Sequence, residues 1–151
     1  MTDRDHDISV LNSLITTTID SANGFERSAE DAESPRFTQM FRDFAQERRQ
    51  IVDRLQEKVR QLGGTPNDDG SLIAGLHRRW EDLKDALGAG DKAVIDEVER
   101  GEDYIKDKYE EALGDDRLGP DSRDLIQECF ESIRRGHDQA SQLKHGMEAA
   151  S

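Results

Sequence analysis

Leu62-Gly63-Gly64-Thr65-Pro66-Asn67-Asp68-Asp69-Gly70-Ser71 decides how this chain folds. Paired glycines end a helix, since glycine accepts the left-handed backbone that closes a helical C-terminus. Pro66 cannot continue that helix, and Asn67 to Ser71 has the composition of a turn. The open question is whether the chain doubles back at once or travels before its next long helix.

Behind this break, apolar residues recur at three- and four-residue spacing, the mark of an amphipathic helix. A predicted helix over 35–62 carries Phe37, Met40, Phe41, Phe44, Ile51, Val52, Leu55, Val59 and Leu62 on one stripe. Ser34-Pro35 starts it, with serine able to cap free amides and proline suited to the first helical position. A helix over 8–33 precedes it, with Leu11, Leu14, Ile15, Thr18, Ala22, Phe25 and Ala29 inward. The one-residue break at Ser34 forces these two into an antiparallel hairpin.

Ahead of the break, Leu72, Ile73, Leu76, Trp80, Leu83 and Leu87 define a shorter helix over 72–87. It covers roughly 25 Å, near the length of a bundle. Gly88-Ala89-Gly90 closes it, and Asp91 can cap a helix over 92–113, with Val94, Val98, Ile105, Tyr109 and Ala112 inward. Pro120 opens a last helix over 120–147, with Leu125, Cys129, Ile133, Gly136, Ala140 and Leu143 inward. The tail beyond it should fray. The chain thus travels: the crossover returns it to the starting end, so the second and third long helices run parallel. One such crossover distinguishes ferritin-like bundles from up-down-up-down ones. The expected fold is all-α, a ferritin-like four-helix bundle with a long helical crossover packed by Trp80, in one domain over 1–151.

Composition agrees. Of 151 residues only 33% are hydrophobic and 36% are charged. A narrow core between helices tolerates that, because each helix needs only one apolar stripe. The net charge of -13 and pI near 4.7 argue against nucleic acid, which requires a basic footprint, and against anionic membrane surfaces. They suit a solvated acidic surface or the attraction of cations. The single cysteine, Cys129, allows no intrachain disulfide and sits on an apolar face, as a small core residue would. No signal-type segment or run of roughly 18 apolar residues is present. The expected compartment is the cytoplasm.

Charged residues that interrupt the apolar stripes mark the one candidate site. Arg48 lies between Phe44, Ile51 and Val52. Glu102 sits beside Val98 and Ile105. Glu26 borders Ala22 and Phe25, Glu47 lies at the edge of its stripe, and His137 borders Ile133 and Ala140. Helix register places all five in one mid-bundle layer. Gly24, Gly101 and Gly136 fall near the same level and are expected to make room there, since a helical glycine otherwise costs about 1 kcal/mol against alanine.

Two chemistries fit such a layer. One is a di-iron-type site, with Glu26, Glu47, Glu102 and His137 as ligands for iron or another divalent metal. Ferritin-like di-iron proteins use Glu-x-x-His on two helices, and that motif occurs nowhere in this chain. The other is a buried structural network in which Arg48 neutralises Glu102 and one or both of Glu26 and Glu47. Arg48 favours the network, because it sets a permanent cation where a metal would lie. Elsewhere, His77-Arg78-Arg79-Trp80 reads as a crossover anchor or a small anion or partner site. His6 and His145 lie near chain ends that should fray. Tyr104 and Tyr109 have no base at a telling spacing. No nucleophile–base pair or phosphate-binding glycine loop is present.

Several pieces in linked order carry a resemblance: Leu11-Asn12-Ser13-Leu14-Ile15; Leu62-Gly63-Gly64-Thr65-Pro66 with Gly70-Ser71; Leu76-His77-Arg78-Arg79-Trp80-Glu81-Asp82-Leu83-Lys84; Glu99-Arg100-Gly101-Glu102-Asp103 with Tyr109; and His137-Asp138. They resemble a bacterial domain-of-unknown-function family of small four-helix bundles in the ferritin-like superfamily. The resemblance implies that architecture and no activity. The expectation is a non-enzymatic bundle without a cofactor, acting through association with itself, as a dimer, or with other proteins. The divergent metal-binding bundle is the alternative, and small-ligand binding in the layer is a third possibility.

Overall fold

The computed structural model describes residues 3–70 and 91–150, the last four by backbone alone. Four long helices make up nearly all of it: α1 (Asp3–Asp31), α2 (Pro35–Gln61), α3 (Asp91–Leu113) and α4 (Pro120–Ala150). The expected crossover helix over 72–87, with Trp80 and its His77-Arg78-Arg79 neighbours, lies outside the described residues.

Contacts at the ends fix the directions. Glu33, just past α1, donates its N–H to Asp91 Oδ1 at the start of α3, 2.8 Å away. At the other end, His6 of α1 meets Asp115, just past α3. Thus α1 and α3 run antiparallel. Along α2 and α4, Glu47 meets Ser132 while Arg54 meets Glu128, so those two are antiparallel as well. Helices α1 and α2, α3 and α4, and α1 and α3 are packed neighbours. That leaves α2 and α3 as a parallel pair facing each other across the bundle's diagonal.

The helix boundaries have local causes. Ser34 adopts an extended cap conformation and Pro35 opens α2, but the serine side chain makes no capping hydrogen bond. At the far end, Gly63 takes a φ of 86°. Its N–H bonds Arg60 O and that of Gly64 bonds Val59 O, both at 2.9 Å. This is a Schellman closure, which requires a residue that accepts the left-handed region. Helix α1 begins five residues before the expected Ile8. Asp7 is the reason: its buried carboxylate accepts hydrogen bonds from Gly119 N and Ser122 Oγ, both at 3.0 Å, satisfying the start of α4. Asp91, expected to cap α3, holds the Glu33 amide with its Oδ1.

Of the turn expected over 67–71, residue 71 lies outside the described residues; residues 64–70 form no helix and carry a bend at Asp69. They climb α1 along one stripe of four-residue spacing. A Cβ on Gly64 would stand 2.9 Å from Ile8. Asn12 donates to Thr65 O and accepts the Asn67 N–H, and Asn67 also reaches Thr16. Gly70 lies against Asp20 and Ile19. Arg4 to Asp20 spans roughly 24 Å of helix, and Gly63 to Gly70 spans roughly 23 Å of extended chain. The backbone therefore returns past the middle of α1 before residue 71.

The core forms two clusters. Leu11, Leu14, Ile15, Ile19, Ile51, Leu55, Val59, Ile105, Tyr109, Ile126, Cys129, Phe130 and Ile133 fill the end near Asp7. Phe25, Ala29, Phe41, Phe44, Ala45, Val94, Ile95, Val98 and Ala140 fill the other. Each large side chain here contributes roughly 1.5–3 kcal/mol by burial. Ile126 and Phe130 are buried while Leu125 is only partly so, which turns α4 slightly from the expected face. Between the two clusters every helix changes character at one level.

Candidate functional site: the mid-bundle polar layer

That level is polar. Arg48 of α2 and Glu102 of α3 are 1% and 2% exposed. The guanidinium grips both carboxylate oxygens, Nη1 to Oε1 at 3.0 Å and Nη2 to Oε2 at 2.6 Å. Because α2 and α3 are diagonal partners, only two long side chains could meet here, and the pair ties the diagonal together. Ser21 of α1 accepts a further bond from Nη1 at 3.0 Å. The Phe25 ring lies 5.3 Å from the guanidinium carbon, beneath the cation. From α4 comes Gly136: a Cβ there would collide with Nη2 of Arg48 and stand 3.0 Å from Oε2 of Glu102. Each helix thus supplies at least one residue, and among the described residues the arginine's buried Nε has no partner.

The electrostatics follow from this closure. Burial pushes the Glu102 carboxyl above its ordinary value. The Arg48 charge, its hydrogen bonds and nearby His137 pull it back, while Glu47 pushes it up. One turn towards the Asp7 end lies a second, uncharged polar contact. Tyr109 and Thr18 hydroxyls are 2.8 Å apart, and Thr18 gives its own proton to Leu14 O. Tyr109 is therefore the donor, and burial raises its pKa well above the usual phenol value.

The other expected layer residues stand elsewhere. Glu26 is on the surface, held by Arg49 at 2.9 Å. Glu47 is half-buried and accepts a bond from the Ser132 hydroxyl. His137 turns outward to Asp103 at 2.6 Å and to Asp138 at 3.4 Å. Gly24 and Gly101 are exposed, with nothing among the described residues within 4 Å of a built Cβ, so neither makes room in the layer; Gly136 does. His6, expected at a frayed end, is held by Asp115 at 2.6 Å. The Arg117 N–H bond, and after it that contact, lower the Asp115 pKa. Ser21 and Asp7 were not anticipated. A small hydroxyl gives no periodic signal, and Asp7 sat in a stretch read as terminal.

Residues 6–115 match the family described as Domain of unknown function (DUF2383). The chain belongs to that family. No curated protein matches it. Among solved structures this DUF2383 chain is similar to Dps from Thermosynechococcus elongatus, with a TM-score of 0.72 at 14% identity, covering 94% of this chain and 92% of that one. The likeness shows the ferritin-like four-helix fold. Two of the pieces that carried the sequence resemblance meet in this DUF2383 fold, Asn12 with Thr65, and so do two others, Asp103 with His137.

The di-iron arrangement that a ferritin-like fold can hold does not fit these residues. Both oxygens of Glu102 are committed to an arginine that keeps its charge, and a divalent ion beside it would be repelled. Glu26, Glu47 and His137 point to separate partners. Among the described residues no group of three or more His, Cys, Asp or Glu is arranged to hold a metal ion. Among them, too, no helix is long and apolar enough to cross a membrane.

Proposed function

We propose that this DUF2383 protein is a non-enzymatic helical bundle that acts by associating with itself or with other proteins in the bacterial cytoplasm. The observation that carries this reading is the closed state of the mid-bundle layer. Its carboxylate, hydroxyl and the two terminal guanidinium nitrogens bond one another, leaving the arginine's Nε as the unpaired buried polar atom among the described residues, and its flanks are packed by two apolar clusters. A reacting group would need an open acid, base or nucleophile at such a level, and Arg48 takes up the acid it contains. Chemistry done inside the bundle would require that pair to open. Among the described residues, what this leaves for function is the outer surface.

Light scattering coupled to size exclusion tests the reading, together with elemental analysis of protein purified without chelator. Association with itself or a captured protein, with no stoichiometric metal, is the expected result. Iron bound at stoichiometric level, and lost in Glu47→Gln or His137→Ala, would replace this reading with the metal-binding one.

A further inference from the structure

The outer flank of α3 carries an unusual sequence of side chains. Tyr104 is the one large apolar residue exposed among those described, at 56%. One turn before it, Gly101 is also exposed, with nothing within 4 Å of a built Cβ. Among the described residues nothing requires glycine there, although glycine in a helix costs about 1 kcal/mol against alanine. A flat site beside a projecting ring is the form in which one helix receives another, because a missing Cβ allows close backbone approach. Charges continue the stripe: Glu97 and Arg100 before it, Lys108 and Glu111 after it.

We infer that the Gly101–Tyr104 face of α3 docks a second copy of this chain, two α3 helices meeting antiparallel across a two-fold axis. This deepens the self-association reading and rests on it. A two-fold contact is isologous, so residue i meeting j requires j to meet i. With the axis between Gly101 and Tyr104, each tyrosine ring covers the partner's glycine. The same register sets Lys108 opposite the partner's Glu97, joining opposite charges at both ends. Moving the axis onto Tyr104 would stack ring on ring, but it would set Arg100 opposite Lys108 and Glu97 opposite Glu111. Like charges facing each other oppose that register. Lys108 already lies along the ring, its Nζ 5.5 Å from the Tyr104 centroid, and can reach past it. Charge complementarity therefore selects one register, and it is the one that fills the glycine site.

Light scattering and sedimentation equilibrium on the full chain test this, comparing wild type with Tyr104→Glu, Gly101→Leu and Lys108→Glu. A wild-type dimer is expected. Tyr104→Glu and Gly101→Leu should each weaken it by about tenfold or more, a loss of roughly 1.4 kcal/mol; Lys108→Glu should weaken it less and remove part of its salt dependence. Leucine favours helix more than glycine does, so Gly101→Leu should keep its helical circular dichroism, and misfolding cannot imitate the result. A dimer indifferent to all three variants would overturn this interface while leaving self-association standing. A wild-type chain that stays monomeric at high concentration would overturn both.

Discussion

Arg48 and Arg49 are successive residues of α2, and each holds a glutamate. Arg48 crosses the diagonal to Glu102 with both partners almost wholly excluded from water. Arg49 reaches sideways to Glu26 on α1, with 41% and 53% of the two side chains exposed. Each guanidinium gives its carboxylate two hydrogen bonds, Arg48 to both oxygens of Glu102 and Arg49 to one oxygen of Glu26; the larger difference is in the surroundings. In water an ion pair exchanges one set of good partners for another, and the gain is small. In the interior, each charge depends on the other, because nothing else nearby can replace the lost hydration. The same chemistry is therefore indispensable at one position and nearly neutral at the next. A buried pair of this kind need not make the fold more stable than an apolar substitute would. It makes the fold intolerant of losing one half.

That difference sets the largest expected effect. Arg48→Ala should lower stability by roughly 3–5 kcal/mol, since it leaves Glu102 buried without its cation. Chemical denaturation reads this directly, and a loss under about 1 kcal/mol would mean that water reaches the layer freely. Replacing both partners, as in Arg48→Met with Glu102→Leu, should recover most of the loss, because no buried charge is then left alone. Recovery in the double variant would separate dependence between the partners from any net stabilisation by the pair.

Alkali sharpens the comparison at a second interior group. Burial raises the Cys129 thiol from 9.0 to about 11. The unfolded chain then releases its thiol proton first, so stability falls as pH rises between those values. The contribution is complete below pH 9 and gone above about 11. Two units correspond to roughly 2.7 kcal/mol. Buried Tyr109 shifts in the same direction and adds to the loss at higher pH. Unfolding free energies measured from pH 8 to 11 should fall less steeply in Cys129→Ala than in wild type. Equal slopes would show the thiol to be as accessible as a surface one.

Two glycines give a smaller effect with opposite signs. Gly136→Ala drives a Cβ against the pinned guanidinium, and overpacking of that kind costs about 1–3 kcal/mol. Helix propensity returns about 1 kcal/mol, leaving a net loss of up to roughly 2 kcal/mol. Gly101→Ala meets nothing among the described residues of its own chain, so the monomer should gain roughly 0.5–1 kcal/mol. Thermal melts of the two variants should move apart. Shifts of the same sign would mean that the arginine repositions without penalty.

These pairs also show what the sequence could reveal. The hairpins and the long return were readable because periodic stripes end in Gly63-Gly64 and restart at Pro35 and Pro120. Arg48 and Glu102 were readable for the same reason: each interrupts an apolar face near its centre, where a charge needs a partner. Residues at the edges of those faces were not readable. Glu26 and His137 sit where a small helix rotation decides between interior and surface, and neighbouring Arg49 and Asp103 take them outward. A glycine has no side chain to point, so the same reasoning could not tell Gly136 from Gly24 or Gly101. Ser21 and Asp7 act through tertiary contacts with Arg48 and the α4 start, which no local pattern encodes. The path of residues 64–70 depends on Asn12, Thr16 and Asp20, and that stripe only acquires meaning once a chain is laid along it.

The smallest effect belongs to the exposed pair and tests the comparison from its weak side. Arg49→Ala removes two bonds to Glu26 and a third one, 2.8 Å long, to Asn23. Both acceptors border water and can be rehydrated, so the expected loss is under about 1 kcal/mol and shrinks further in high salt. Arg48→Ala should keep its full cost in the same salt, because screening ions do not enter the layer. Denaturation of both variants at low and high ionic strength therefore distinguishes them by response as well as by size. If Arg49→Ala cost several kcal/mol independent of salt, burial would not be what separates these adjacent arginines, and the α1–α2 surface would have to carry the stability assigned to the diagonal pair.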